Sequence, residues 1–461
     1  MTPAVRAFVE ALFLRIDELT AKVDRLEREL GKRDKFLHEK LGGQAPPPPP
    51  PPSPRSTPSK KRGGQPGHKR AERELVPVEK CQDVVPCRPL ACRGCGEKLS
   101  GKDAQPLRHQ VTDIPEVKPF IIEYQRHRLT CECCGVTTCG SLPEGVPTGM
   151  TGTRLMSLAT MLMVVFRQSK RRVSLFCELA LGTKVSPGLV VKWQQVATSA
   201  TRPAYDELVS QLPKEKSVNV DETPTKEANT SAWIWTAVAK TYTVFAQRLT
   251  KARCVITGLL GAKYRGVVTS DRAKMYDIFK RQQWCWAHLK RDFEKLAASD
   301  HRGAKRIGRK LGELTRQLFH NWHRVRDGTI DRRQFLQLHN ILYAEFHETF
   351  DEGTRCADRG CAALCSNLFE GFENLWRFAR ATDLSIEPTN NAAERALRHP
   401  VIWKQLSFGT QSNHGSRFVE TLLTAAETCR QQGRNILQFL KDSLTAHLNG
   451  HAGPSLLPNG A

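Results

Sequence analysis

Two apolar stretches run into an aspartate. In Ser217-Val-Asn-Val-Asp-Glu-Thr-Pro-Thr225, the alternation of Val218 and Val220 predicts a short strand that ends on Asp221 and is broken by Pro224. In Arg265-Gly-Val-Val-Thr-Ser-Asp271 an apolar strand again ends on its acid. A third acid, Glu394, lies in Ile386-Glu-Pro-Thr-Asn-Asn-Ala-Ala-Glu-Arg-Ala-Leu-Arg398. Pro388 is tolerated just ahead of a helix, Thr389, Asn390 and Asn391 suit its cap, and Ala392 to Leu397 favours its body. Glu394 on that first turn has a plain role, favouring the helix dipole and pairing with an Arg one turn on. Together, two Asp at strand ends and a Glu on a later helix offer hard oxygen ligands on rigid elements, which suit Mg²⁺. Two such ions can clamp the attacking and leaving oxygens of a phosphoryl displacement.

The elements around these acids form a recognisable order. After the Asp221 strand, Ala232–Val238 and Tyr242–Arg248 read as strands, and a helix near residues 251–260 precedes the Asp271 strand. A helix around 273–279 and a strand around 283–287 follow, with His288 just beyond. His288 reads either as a contact to DNA or a metal-bound phosphate, or as a structural residue capping the strand. Cys285 reads as buried rather than reactive. Residues 293–385 look helical, with Leu311, Leu314, Leu318 and Trp322 on one face, so a helical insertion separates Asp271 from Glu394. Cys356, Cys361 and Cys365 within it fit no zinc spacing and read as structural. Beyond Glu394, Lys404 and Arg417 are placed to meet DNA, two helices follow near 418–429 and 436–444, and the end of the chain reads as a disordered tail.

The N-terminal half carries binding signals. Val9, Leu12, Ile16, Leu19, Val23, Leu26 and Leu30 make a heptad seam with β-branched residues at a, which predicts a parallel dimeric coiled coil over residues 1–41; an amphipathic helix packed on its own chain is the alternative. Pro46 to Pro52 is a stiff spacer, and Lys60, Lys61, Arg62, Lys69 and Arg70 make the 42–75 linker basic enough to neutralise phosphates. Cys92-Arg-Gly-Cys95 and Cys131-Glu-Cys-Cys134 are two knuckles that together supply four thiolates for Zn²⁺, in a zinc ribbon over 76–145, with a strand-like run from Phe120 to Leu129 leading into the second. Cys81, Cys87, Cys133 and Cys139 keep the ligand set open. Residues 150–212 read as helices. Gly182 ends one and Ser186-Pro187 starts the next, which is either a helix-turn-helix presenting Lys192, Gln194 and Gln195 to DNA or an ordinary helical hairpin.

Asp221-Glu-Thr223, Cys285-Trp-Ala-His288, the run Pro388 to Arg395, Gly63-Gly-Gln-Pro-Gly-His-Lys69 and the two Cys pairs occur in an order that resembles the insertion-sequence transposases of the IS-sixty-six (TnpC) family. The resemblance spans most of residues 1–445. It implies a multidomain α+β protein with an N-terminal coiled coil, zinc ribbon, helix-turn-helix and RNase H-like DDE catalytic core with a helical insertion. The core would occupy 213–292 and 386–446 around the insertion at 293–385, with a tail at 447–461. It implies Asp221, Asp271 and Glu394 as a catalytic triad holding Mg²⁺ (or Mn²⁺), and DNA as partner, both element terminal inverted repeats and target. His288, Arg291, Arg395, Arg398 and Lys404 would join Lys192, Gln195 and the linker cations as DNA contacts. A homodimer or higher oligomer and accessory transposition proteins are the further partners it implies. The chain departs from the family pattern at Arg272, at Lys290-Arg291-Asp292 and at Trp403-Lys404-Gln405. A domesticated regulator that binds DNA without cutting it is the alternative.

Composition agrees with a polyanion partner. The 461 residues hold 70 Lys and Arg against 47 Asp and Glu, a net charge of +23. No apolar run approaches the ~20 residues needed to cross a bilayer, and the first helix is not a secretory signal, so a cytoplasmic protein without a membrane partner is expected. Fifteen cysteines in such a chain point to metal binding or burial rather than disulfides.

Overall fold

The computed structural model describes residues 74–458 except 145 and 382–383. The expected coiled coil and the cations Lys60, Lys61, Arg62, Lys69 and Arg70 lie outside the described residues. The chain divides into two units, Met1–Thr112 and Asp113–Ala461. In the first, the side-chain amide of Gln110 clamps the backbone of Val76, accepting its N–H at 2.9 Å and donating to its carbonyl at 2.8 Å.

The second unit opens with a hairpin of β1 (Arg128–Thr130) and β2 (Thr137–Cys139). The expected strand from Phe120 shortens to this piece. Phe120, Ile121 and Ile122 are exposed, and without a paired neighbour a β-prone run has nothing to fix its backbone. Three helices follow: α1 (Thr153–Val164), α2 (Lys170–Leu181) and α3 (Pro187–Gln211). Gly182 ends α2 at φ +59°, and Ser186 caps α3 by accepting the N–H of Leu189 at 3.1 Å, so the turn signals act as read. Lys192 and Gln195 are exposed on α3, whereas Gln194 is buried against the body of the unit and turns away from solvent.

A five-stranded sheet comes next. Its strands are β3 (Ser217–Glu227), β4 (Thr230–Val238), β5 (Thr243–Arg248), then, after helix α4 (Arg253–Leu260), β6 (Val267–Ser270) and β7 (Gln282–Trp284). The spatial order is β5-β4-β3-β6-β7. The first three strands pair antiparallel, and β3, β6 and β7 pair parallel. β3 does not stop at Asp221. It continues through Pro224 to Glu227 and turns into β4 at Ala228 and Asn229, both at positive φ as a tight hairpin requires. Pro224 is tolerated because β6 leaves β3 after Asn219. The Pro224 carbonyl accepts from Lys404, on the side away from β4, so the missing N–H also faces that open edge. The expected helix at 273–279 shrinks to one 3₁₀ turn, Lys274–Tyr276.

Trp286 starts α5 (Trp286–Ala297), earlier than the sequence pattern suggests. With α6 (Arg302–Arg326), α7 (Arg332–Thr354), α8 (Arg359–Glu370) and the short α9 (Arg377–Arg380) it builds a second hydrophobic core. Leu311, Leu314, Leu318 and Trp322 line that core from α6, and Cys361 and Cys365 are buried in it. Burial raises both of these thiols, to about 11 for Cys365. Trp286 stacks edge-on to Phe346 and Trp376 at 5.2 Å.

The chain then returns to the sheet with α10 (Asn391–Ser407), α11 (Asn413–Gln432) and α12 (Ile436–Leu448). β5 is an edge strand, and α11 closes its edge. Thr428, Thr424 and Glu420 accept the N–H groups of Thr243, Phe245 and Gln247 at 3.2, 2.9 and 3.1 Å. Four helical residues rise about 6 Å and two strand residues about 6.6 Å, so the two series stay in step. Glu420 is fully buried and also meets Arg202, Arg248 and Arg417 at 3.1, 2.7 and 2.7 Å. The tail is not loose up to residue 458. Leu456 is fully buried, and its carbonyl accepts from Gln432 at 2.8 Å, because an apolar side chain found a cover the sequence pattern did not reveal.

Candidate active site

Alternation along β3 sorts its side chains. Val218 and Val220 point into the core, while Asn219, Asp221 and Thr223 lie on the other face, where Asn219 meets the start of α10 and Thr223 its last turn. Asp271 follows the end of β6, the parallel neighbour of β3, two residues beyond the last paired position on each strand. Its Oδ1 accepts the N–H of Ala273 at 3.0 Å, which fixes the carboxylate.

Glu394 is on the first turn of α10. Asn390, at the cap position, makes no capping bond. Instead its buried amide donates to the Val220 carbonyl at 2.8 Å and accepts from the Asn219 amide at 3.2 Å. Its own N–H donates to the Cys285 sulfur at 3.1 Å, and the Trp286 N–H donates to the Pro388 carbonyl at 3.0 Å. These four bonds lock the start of α10 to the residue before Asp221 on one side and to the start of α5 on the other. Cys285 is buried and its thiol is pushed up by that burial, in line with a structural role.

Asp271 and Glu394 both lie within electrostatic reach of Asp221. Burial first, then the charges of Glu222, Asp271 and Glu394, raise the Asp221 carboxyl to about 7, against the Glu222 N–H that donates to it at 2.9 Å. Glu222 faces the other way, and Lys251 at 2.8 Å and the Tyr276 hydroxyl at 2.5 Å satisfy it. Of the two adjacent acids, Asp221 is therefore the one without a cation.

His288 sits in the first turn of α5 rather than beyond a strand. Its Nδ1 lies 3.7 Å from Glu394, and Arg291 one turn on lies 3.8 Å from the same oxygen. Neither approach is a hydrogen bond, and both Glu394 Oε1 and His288 Nδ1 are buried without a hydrogen-bond partner. Among the described residues, Cys285, His288 and Glu394 offer ligand atoms that all lie within 4.8 Å of one another; the three carboxylates stand further apart. Arg395 and Arg398 are exposed on α10. The Lys404 ammonium reaches back to the Thr223 hydroxyl at 2.7 Å and the Pro224 carbonyl at 2.5 Å, and burial lowers its pKa. Arg417 pairs with Glu420 and donates to the Gln247 carbonyl. Both cations therefore have partners within the chain.

Asn219 is the site residue that motif reading passed over, and Asn390 was read there as a cap. The one available signal was a polar Asn219 between two core valines.

The two cysteine knuckles share one local geometry. In the first unit, the Cys92 N–H donates to the Glu97 carbonyl and the Gly96 N–H to the Cys92 carbonyl. In the second, the Cys131 N–H donates to Val136 and the Gly135 N–H to Cys131. Gly96 and Gly135 both adopt positive φ, which lets each loop turn back on its first cysteine. Backbone N–H groups of Cys95 and Gly94 hold the Cys92 thiol below its ordinary pKa, and those of Cys134 and Cys133 do the same for Cys131. Each knuckle thus favours the thiolate that a metal needs.

Comparison with known proteins gives two family matches. Residues 148–417 match the model described as "Transposase IS66 family", and residues 89–135 match the "zinc-finger binding domain of transposase IS66". Two similar proteins come from Sinorhizobium fredii (strain NBRC 101917 / NGR234). "Uncharacterized protein y4qI" is 23% identical over 412 residues, covering 81% of this chain and 73% of its own length. "Uncharacterized protein y4hP" is 23% identical over 419 residues, covering 81% and 72%.

Proposed function

The chain belongs to the IS66 transposase family and carries that family's zinc-finger domain, and from this premise we propose that it cuts and joins DNA at the ends of an insertion sequence. The observation that supports the reading is the Asp221 carboxyl, buried where β3 and β6 part and raised further by the charges of Asp271 and Glu394, acids remote from it in sequence. The strand order, with the first strand between the second and the fourth, supports an RNase H-like core.

The donor set fits hard divalent ions. Glu394 Oε1 is buried without a hydrogen-bond partner, and burial first, then the charges of its acid neighbours, disfavours the ionised form of Asp221. A cation relieves both. Asp221, Asp271 and Glu394 would hold Mg²⁺ (or Mn²⁺), which when bound activates the attacking oxygen and stabilises the leaving one. The protein's part is positioning. The Asn219–Asn390 bond keeps Glu394 in place beside Asp221, Ala273 fixes Asp271, and Lys251 with Tyr276 keeps Glu222 out of the site. His288 and Arg291 stand on the Glu394 side, where a DNA phosphate would add its charge.

DNA recognition is assigned to other parts: the basic linker, the exposed Lys192 and Gln195 of α3, and Arg395 and Arg398 of α10. Zinc is assigned to Cys92, Cys95, Cys131 and Cys134, on their spacing and on the zinc-finger match that spans both pairs. The heptad seam of residues 9–30 is assigned to self-association. Among the described residues no helix is long and apolar enough to cross a membrane.

The test is strand transfer of a labelled terminal repeat into plasmid, with and without Mg²⁺. The wild-type chain should join strands, and Asp271→Asn should not, while both bind the repeat equally. Binding without joining by the wild type would favour the silent regulator instead.

A further inference from the structure

The start of α5 sets three unlike donor atoms around one point. Cys285 holds the cap position of the helix, and His288 lies one turn on, its N–H bonded to the Cys285 carbonyl at 3.1 Å. Glu394 reaches the same point from the first turn of α10. Ligand atoms of the three all lie within 4.8 Å of one another.

The spacing suits co-ligands of one ion better than bonds within the protein. Zinc takes sulfur at roughly 2.3 Å and nitrogen or oxygen at roughly 2.0 to 2.2 Å, so neighbouring donors of a tetrahedral site stand about 3.3 to 3.7 Å apart. His288 Nδ1 and Glu394 Oε1 are 3.7 Å apart, beyond a hydrogen bond. Both atoms are buried with no hydrogen-bond partner, which costs free energy unless another group meets them. The side chains that carry them are 37% and 36% exposed, so an ion can reach them from solvent. Cys285 forms the buried floor, and its sulfur accepts the Asn390 N–H at 3.1 Å.

One sulfur, one imidazole nitrogen and one carboxylate oxygen make a mixed donor set. It selects Zn²⁺ over Mg²⁺, which prefers oxygen alone. Three protein donors leave the fourth tetrahedral position to water. The Arg291 guanidinium, 3.8 Å from the same Glu394 oxygen, is the competing cation, and its exposed side chain has room to move aside.

We propose that Cys285, His288 and Glu394 form an inhibitory site for Zn²⁺, separate from the cysteine knuckles. On binding, the Cys285 S–H bond breaks, a sulfur–zinc bond forms and the proton leaves to solvent. Zinc then claims the Glu394 oxygen that would otherwise serve beside Asp221 and Asp271, so cutting and joining stop. The inhibition rests on the catalytic role proposed for Glu394, whereas the binding does not.

Co²⁺ is the probe, because its bond to a thiolate absorbs light. The full chain, with its cysteine knuckles first filled with Zn²⁺, is titrated with Co²⁺. Wild type should develop a thiolate-to-cobalt band that further Zn²⁺ displaces. Cys285→Ala should lose the band. His288→Ala trims a half-exposed side chain and should unfold in urea like wild type, yet bind Co²⁺ about ten-fold or more weakly, the least that loss of even an outer-shell partner costs. Arg291→Ala, which removes the competing cation, should bind at least as tightly as wild type. No band in wild type, or His288→Ala binding Co²⁺ like wild type, overturns the site. In strand transfer at saturating Mg²⁺, added Zn²⁺ should stop wild type over the same concentration range in which it displaces Co²⁺. Inhibition over a different range, or none, overturns the inhibitory role. No strand transfer under any condition, with the band present in wild type and lost in Cys285→Ala, sinks only the transposition reading.

Discussion

Replacing Asp221 with Asn should make the metal-free protein more stable, by an amount that pH sets. In the folded chain the Asp221 carboxyl titrates at about 7, against an ordinary value of 3.8. Below about 3.8, folded and unfolded chains both hold the proton, and the substitution changes little. Between 3.8 and 7 the unfolded chain releases it while the folded chain keeps it, so wild-type stability falls as pH rises. Above 7 the loss is constant. A difference of about three pH units corresponds to at most about 4 kcal/mol. Asn keeps an oxygen for the Glu222 N–H and carries no charge, so it escapes this loss. Urea unfolding in chelator at pH 4, 6 and 8 reads the difference. The advantage of Asp221→Asn should be near zero at pH 4 and reach about 2 to 4 kcal/mol at pH 8. Added Mg²⁺ should then stabilise wild type at pH 8 and leave the variant unmoved. An advantage independent of pH, or a loss of stability at pH 8, would refute the electrostatic reasoning.

Asn390→Ala removes two buried side-chain bonds and leaves the Val220 carbonyl and the Asn219 amide short of partners. It should cost about 2 to 4 kcal/mol and weaken Mn²⁺ binding measured by calorimetry, whereas an exposed cap residue would cost far less. Glu420→Gln takes the carboxylate from Arg248 and Arg417, while Arg202 keeps Asp206, and should cost about 3 to 5 kcal/mol in urea unfolding; a loss below 1 kcal/mol would mean that water reaches Glu420. The full chain should hold about one zinc by elemental analysis, and Cys92→Ser should lower that content; undiminished zinc would rule out this ligand set.

Sequence pattern was a good guide where one local force dominates. Val218 and Val220 marked a buried strand face, Leu311 to Trp322 marked a buried helix face, and Gly182 and Ser186-Pro187 marked helix ends. It misled where a distant partner decides. Pro224 looked like a stop because nothing nearby showed that its missing N–H would face an open edge, with Lys404 at its carbonyl. Asn390 looked like a cap because capping is the local use of an Asn at a helix start, and β3 supplies the competing partners from far along the chain. Gly450 onward looked loose because Leu456 has its cover on elements that no short-range period connects to it. Asp271 just past a strand and Glu394 on a first helical turn were legible, since these are local features, whereas Asp221 lies within β3 and not at its end. The lock that holds the start of α10 to β3 was not.

The threonine–threonine–glutamate series of α11 has a consequence for how copies of this protein can meet. A sheet edge with free N–H groups invites a foreign strand, and such strands build stacks that grow without limit. Here a helix occupies that place, and a helix cannot be templated by the next molecule. The sheet is thereby finite on its β5 side. Loss of the Thr424 hydroxyl would leave the Phe245 N–H without its acceptor in the middle of that edge, while α11 still covers it.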